Sequence, residues 1–561
     1  MRWTHPSWYT SSDLPSELSP SGRRNPSTPN LDSSTINAIT SQIPLLDIEV
    51  QTRAKEIAKV QSVLQCLEQE YVQTVAVLHR KTSLLSPIRR LPSDILLEIF
   101  SLAADDSEIC LSSPPFILRS VCYTWRVLVL TSPSLWSKVK IKISNTRDVR
   151  EAYNKQRLLR TAFSLSGKCP LNISIKSFGI IPDTRELTLI QQCLVPTSDR
   201  WKSLYLHIQY PENIIRFFDI SGRFRMLESL DLTFLDHQPT PQRFYEGLSK
   251  LFCSTPVLRT VRISEISDYV FCKLSLPLHQ LTSLDVDLEH YCTSGPPFPF
   301  YNCIARGTEL ESFTLRMFHN SSSTQQLSGP FPEIIRPNVR RFSLTYHIPT
   351  TLKYCTFPGL EQVTLFTSFA DRESAPIIPT HELAVVFEFL KRSNSRLRSL
   401  AVYRPIPFPA FNNFAKEVFP SLTDLVISVN EETSTEVIQR LADPSFIPCL
   451  RHLSLHICLP VISLFKDNSL ISMAISRHNY RLKSLDLSIL SAGCLKYRGS
   501  STMLDWPKHL LQAYKLKEAG LGVTFLRAGR NLFADEDTLN ELTTWLKDWN
   551  APQSMFNLQN M

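Results

Sequence analysis

The chain has 561 residues, of which 43% are hydrophobic and 20% charged, and carries a formal net charge of +8. That length exceeds what one compact core serves, so two or more units or a repeat array are expected. The composition is that of a folded protein, and a mild positive charge without a dense Lys/Arg run gives no case for nucleic acid.

The 13 cysteines are scattered and no CxxC occurs, which excludes zinc ribbons and thioredoxin-like motifs. The opening MRWTHPSWYTSSDLPS lacks the apolar core of a signal peptide. No apolar run approaches the ~18 residues a bilayer span needs, so a cytoplasmic or nuclear protein is expected. Residues 1–42 are rich in Ser, Pro, Thr and Asn and are expected to be a disordered tail.

Residues 43–86 form an amphipathic heptad helix. Ile43, Leu46, Val50, Ile57, Val60, Leu64, Leu67, Tyr71 and Leu78 follow alternating three- and four-residue steps, an a/d seam. Arg53 and Thr74 fall on the seam and weaken it. Two readings fit: a coiled coil that joins two copies through residues 43–81, or a helix folded back onto its own chain.

Residues 87–140 hold a compact helical pattern. Pro92 suits the first position of a helix, where a backbone N–H is dispensable. Leu91, Ile95, Leu96, Ile99 and Phe100 then share one face at helical spacing. A second stretch sets Val121, Cys122 and Trp125, and Pro133, Leu135 and Trp136 follow in a turn. Two or three short helices cannot hide this much apolar surface alone, which points to a unit completed by a partner rather than to a catalyst.

LPSDILLEIF (91–100), VCYTW (121–125) and SPSLW (132–136) together strongly resemble the F-box, with Asp94 where Glu is more usual. The chain is most similar to the large F-box families of mushroom-forming fungi, in which a heptad helix precedes a box opening like Ser86 to Pro92. The resemblance implies that Leu91, Pro92, Ile95, Leu96, Ile99, Phe100, Val121, Cys122, Trp125, Pro133, Leu135 and Trp136 bind a Skp-type adaptor. Through that adaptor a cullin would be recruited in an SCF-type (Skp–cullin–F-box) ubiquitin ligase.

Residues 141–200 are expected to hold linker helices and a degenerate first repeat, PLNISI (170–175). From 201 to 530 a six-residue form LxxLxL recurs eleven times, from WKSLYL (201–206) to LKSLDL (482–487), at a mean spacing of about 28 residues. Alternating apolar residues mark a strand with one buried face. Helical pieces such as 184–195 and 383–393 lie between strands. Neither element buries its apolar face without neighbours, so the units must stack. The pattern resembles leucine-rich repeats, although the asparagine or cysteine beyond the strand survives only as Asn430 and Cys458. Residues 531–561 are read as a C-terminal cap helix and tail.

The expected fold is therefore α/β: a heptad helix and a small helical F-box, then an irregular leucine-rich-repeat solenoid. Its parallel sheet would line the concave face and its helices the convex face. No GxxxxGK[ST], HExxH, GxSxG or GxGxxG occurs. The chain is read as non-catalytic, with no metal and no cofactor. On the concave face, Arg262, Asp285, Asp287, Arg316, Arg341, Phe366 and Tyr403 mix charge with aromatics, the side chains that anchor protein interfaces. A protein substrate is expected there. The leading reading is a substrate-recognition adaptor; the alternative is a scaffold that uses its F-box outside ubiquitin ligases.

Overall fold

A computed structural model describes residues 32–104, 108–143, 149–177, 184–208, 224–234, 251–266, 271, 274–288, 299–317, 332–345, 350–366, 380–409, 411–412, 420–430, 433–457, 469–489, 516–517, 520–527 and 530–531. The chain divides into two units, Met1–Pro92 and Ser93–Met561.

The first unit is dominated by one helix, α1 (Ser33–Leu85). Asp32 starts it by accepting a hydrogen bond from the Thr35 amide at 3.1 Å, which satisfies one of the orphan donors of the first turn. Residues 33–42, expected as tail, are therefore helical: a single carboxylate, Asp32, caps a segment whose Ser/Thr-rich composition suggested disorder. A 3-10 turn, Pro87–Arg90, follows, with Pro87 at its first position. No residue of α1 is buried. The heptad seam faces water, with Ile57, Leu64 and Leu67 all more than half exposed.

The second unit opens with three short helices, α2 (Ser93–Ala104), α3 (Pro114–Val121) and α4 (Tyr123–Leu130), then a 3-10 turn, Pro133–Trp136. They pack on one another. The turn leads directly into a strand, β1 (Lys138–Ile143), whose outer edge is covered where the Ile109 amide donates to the Lys140 carbonyl at 2.8 Å.

Two helices, α5 (Val149–Leu165) and α6 (Thr184–Leu194), alternate with strands β2 (Leu171–Ser177) and β3 (Trp201–Ile208). The sheet continues through β4 (Ser229–Phe234), β5 (Thr260–Ile266), β6 (Ser283–Leu288) and β7 (Ser312–Met317). A short strand β8 (Ile334–Ile335) pairs aside with β10 (Cys355–Thr356), while β9 (Arg341–Thr345) and β11 (Gln362–Phe366) carry the main sheet on. It ends through β12 (Ser399–Pro405), β13 (Asp424–Val429), β14 (His452–Ile457), β15 (Ser484–Ile489), β16 (Gly522–Arg527) and the antiparallel β17 (Arg530–Asn531).

Among the described residues, fifteen strands form this one sheet, in chain order and parallel up to β16. Each of the eleven LxxLxL hexamers ends in a strand of it, and the earlier PLNISI is β2. Apolar residues of β1 through β16 join one continuous core running from Val139 to Val523. Four further helices, α7 (Pro299–Arg306), α8 (Thr380–Ser393), α9 (Ser434–Ala442) and α10 (Ser469–His478), contribute Ile304, Phe389, Ile438 and Met473 to it. Residues 532–561, which hold the expected cap helix and tail, and Cys458 lie outside the described residues.

The register comes from a device the apolar pattern does not reveal. From Glu228 to Arg451, the second residue of each hexamer offers its carbonyl to two amides of the next: Arg259 and Thr260 both donate to Glu228, Thr282 and Ser283 to Arg259, and Arg451 and His452 to Thr423. These links lock neighbouring strands in step just ahead of the sheet, where a slip of one residue would turn every core side chain to water.

Candidate functional site

Two surfaces gather the residues singled out in the sequence. The first is the helical unit, residues 93–136. Within it, Leu96, Phe100, Leu135 and Trp136 are buried. Phe100 meets Trp125 edge-on with ring centres 4.8 Å apart, and Phe116 meets Trp136 at 5.1 Å, a favoured geometry for aromatic pairs. The Trp136 indole donates to the Val129 carbonyl at 2.8 Å, so its polar atom is satisfied. These residues act through the shape of the unit. Ile95, Ile99 and Val121, from the same motif, stand exposed, as do Leu102, Ile117 and Val127. Cys122 and Trp125 are half-buried and Pro133 is exposed. Leu91 and Pro92, both exposed, close the first unit; Pro92 precedes the helix, which begins at Ser93.

The second surface is the polar face of the sheet. The parallel register aligns the fifth position of successive hexamers, so Tyr205, Asp231, Arg262, Asp285 and Thr314 stand side by side on β3 to β7. Charge alternates along that row. Arg262 Nε donates to Asp285 Oδ2 at 3.0 Å, and Arg316 NH2 reaches the same oxygen at 3.0 Å. Arg316 NH1 lies 3.8 Å from Asp287, its neighbour one row on. The hydrogen bond to Asp285 raises the pKa of Arg262. The pKa of Asp231 is raised too, which for a carboxyl favours the neutral form: burial holds it above the ordinary range, partly offset by Arg262. One carboxylate oxygen each of Asp231 and Asp285 is buried without a hydrogen-bond partner. Burial also raises the pKa of Tyr205, and Asp231 adds to the rise.

The structure therefore unites four of the seven expected surface residues, Arg262, Asp285, Asp287 and Arg316. Arg341 is exposed and aligned with Ser312 and Gln362, a different row. Tyr403 lies further along the sheet, half-buried, with its ring 4.9 Å from that of His456. The strand β11 includes Phe366, whose side chain lies outside the described residues. Asp231, Tyr205 and His456 were missed as site residues. Stacking the hexamers and reading down their fifth position would have found the first two. His456 needed the third dimension, since a register shift after Val402 accompanies the reach of Tyr403 toward it.

His456 Nδ1 and Ser428 Oγ are buried without partners on adjacent, paired positions of β14 and β13. Burial lowers the pKa of His456, and Asp486 opposes that shift. His452 shares the strand with His456, but four residues of strand span about 13 Å, too far for two rings to hold one ion. Among the described residues, no group of His, Cys, Asp and Glu could hold a metal, and no helix is long and apolar enough to cross a membrane. Comparison with known proteins finds no matching family model and no matching curated protein.

Proposed function

We propose that this chain is the substrate-recognition adaptor of an SCF-type ubiquitin ligase, with an F-box at residues 87–140 and leucine-rich repeats beyond it. One observation carries the reading. In a single short motif, Leu96, Phe100, Leu135 and Trp136 are satisfied inside the helical unit while Ile95, Ile99 and Val121 remain in water. An isolated unit gains nothing from that second set; a unit built to dock on a Skp-type adaptor needs it. The polar face of the sheet, with its Asp–Arg row, would hold a protein substrate. The chain then contributes proximity, holding a substrate lysine near a conjugating enzyme supplied by other subunits.

The test is co-purification of the intact chain with a Skp-type adaptor and a cullin. Ile99→Asp with Val121→Asp changes exposed residues, so folding is retained and adaptor capture is lost. Arg316→Ala with Tyr403→Ala leaves adaptor capture intact and weakens substrate capture. Adaptor without cullin would favour the scaffold reading, and failure to capture any Skp-type adaptor would refute both.

A further inference from the structure

Among the described residues, none on the apolar heptad face of α1 is buried. Its seam runs from Leu46 to Leu78 beyond Pro44, with Val50, Ile57, Val60, Leu64, Leu67 and Tyr71 between them, all more than half exposed. A stripe of this length at 3.5-residue spacing is the surface a second helix covers. The occupant must accept Arg53, which sits on the seam and, within its own helix, meets Glu56 at 3.2 Å while staying 70% exposed.

Arg53 decides both partner and direction. In a parallel pair of these helices, each Arg53 would face its own copy, with Ala54 beside it and no carboxylate in the hole. Lys81 would repeat the clash two heptads after Leu67. In an antiparallel pair, a positions meet d positions, and the register centred on residue 62 sets Arg53 against the partner's Tyr71. The hole that receives it then includes the partner's Glu70, next to Tyr71 in sequence. Arg53 gains a ring face and a carboxylate at once. The same register matches Thr74 with the partner's Val50, and the remaining inner layers are aliphatic on both sides.

We infer that the chain self-associates through α1 as an antiparallel two-helix coiled coil, with Arg53 of each copy held by Tyr71 and Glu70 of the other. The two Leu85 ends then lie about 70 Å apart at 1.5 Å rise per residue.

The full-length chain, without any adaptor, tests this by sedimentation velocity over a micromolar concentration series. The wild type is expected at the mass of a dimer. Arg53→Glu and Glu70→Lys, each alone, are expected to weaken association at least about tenfold by placing like charges together. The double variant restores it, because the reversed pair meets across the antiparallel seam. Circular dichroism checks that each variant keeps its helix. A monomeric wild type, single variants that associate normally, or a double variant that is not rescued while helical would overturn the proposal. Adaptor capture by Arg53→Glu is expected to be unchanged, which separates this inference from the ligase reading.

Discussion

At the scale of single residues, buried and half-buried arginines do work that the apolar pattern conceals. Arg477 is 1% exposed, and its guanidinium donates to the carbonyls of Leu441, Asp443 and Ile447, the last two at 2.7 and 3.0 Å. Burial pulls its pKa down to about 10, still well above neutrality, so it remains a cation. Arg200, Arg336 and Arg392 reach back in the same way to carbonyls of the preceding unit, at Cys169, at Ile304 and Ala305, and at Leu352 and Cys355. Each ties one unit to the next where helix-end carbonyls would otherwise lack donors. Replacing Arg477 with Met keeps the volume and orphans those carbonyls; the expected loss is on the order of 3 kcal/mol, read as a fall in the urea midpoint. His456 makes a pH-dependent contribution. Its pKa is lowered by burial, so below about 6.5 the unfolded chain binds the proton that the folded chain resists. Stability therefore falls as pH drops through that value, and His456→Gln should flatten the difference in midpoint between pH 7.5 and pH 5.

At the scale of elements, the strands were the most legible part of the chain. A two-residue alternation of Leu, Val, Ile and Phe needs one buried and one polar face, and parallel stacking provides both. The helices between them were legible where their apolar residues kept a 3.6-residue period, as in α8. The start of α1 was not, because one capping carboxylate, Asp32, outweighs the composition of the segment behind it. The close approach of turns between units was also invisible. Gly359 precedes β11, and a Cβ there would stand 2.1 Å from the Pro337 carbonyl oxygen, a backbone atom that cannot turn aside. Gly359→Ala is expected to destabilise by about 1–3 kcal/mol through forced separation of the two turns. Thermal unfolding of the purified variant measures this.

At the scale of the whole molecule, the second unit shares one core in which each strand meets its sequence neighbours. Stability in such an array is nearly a sum of local terms, and its ends have half the support of its middle. Amide hydrogen exchange should therefore be slowest in β5 to β13 and fastest in β15 and β16. A uniform profile would show that the array opens as one body. The same stacking assembles the candidate substrate surface. Asp231, Arg262, Asp285 and Arg316 come from four strands, β4 to β7, spread over residues 229–317 and meet only because the register is in step. Tyr403 and Arg341 were chosen for the same chemistry, yet the register places them elsewhere.

The sequence by itself determined which residues would be strands, which face of each would be buried, and that the helical motif at 91–136 carried surplus apolar surface. These follow from periodicity and volume, which are local properties. Only the tertiary structure decided which half of that surplus is satisfied within the unit and which polar residues become neighbours. It also showed that, among the described residues, no side chain of the heptad helix is buried. Those outcomes depend on the register between segments tens of residues apart, held by carbonyl links and arginine ties at positions that look unremarked in a linear reading.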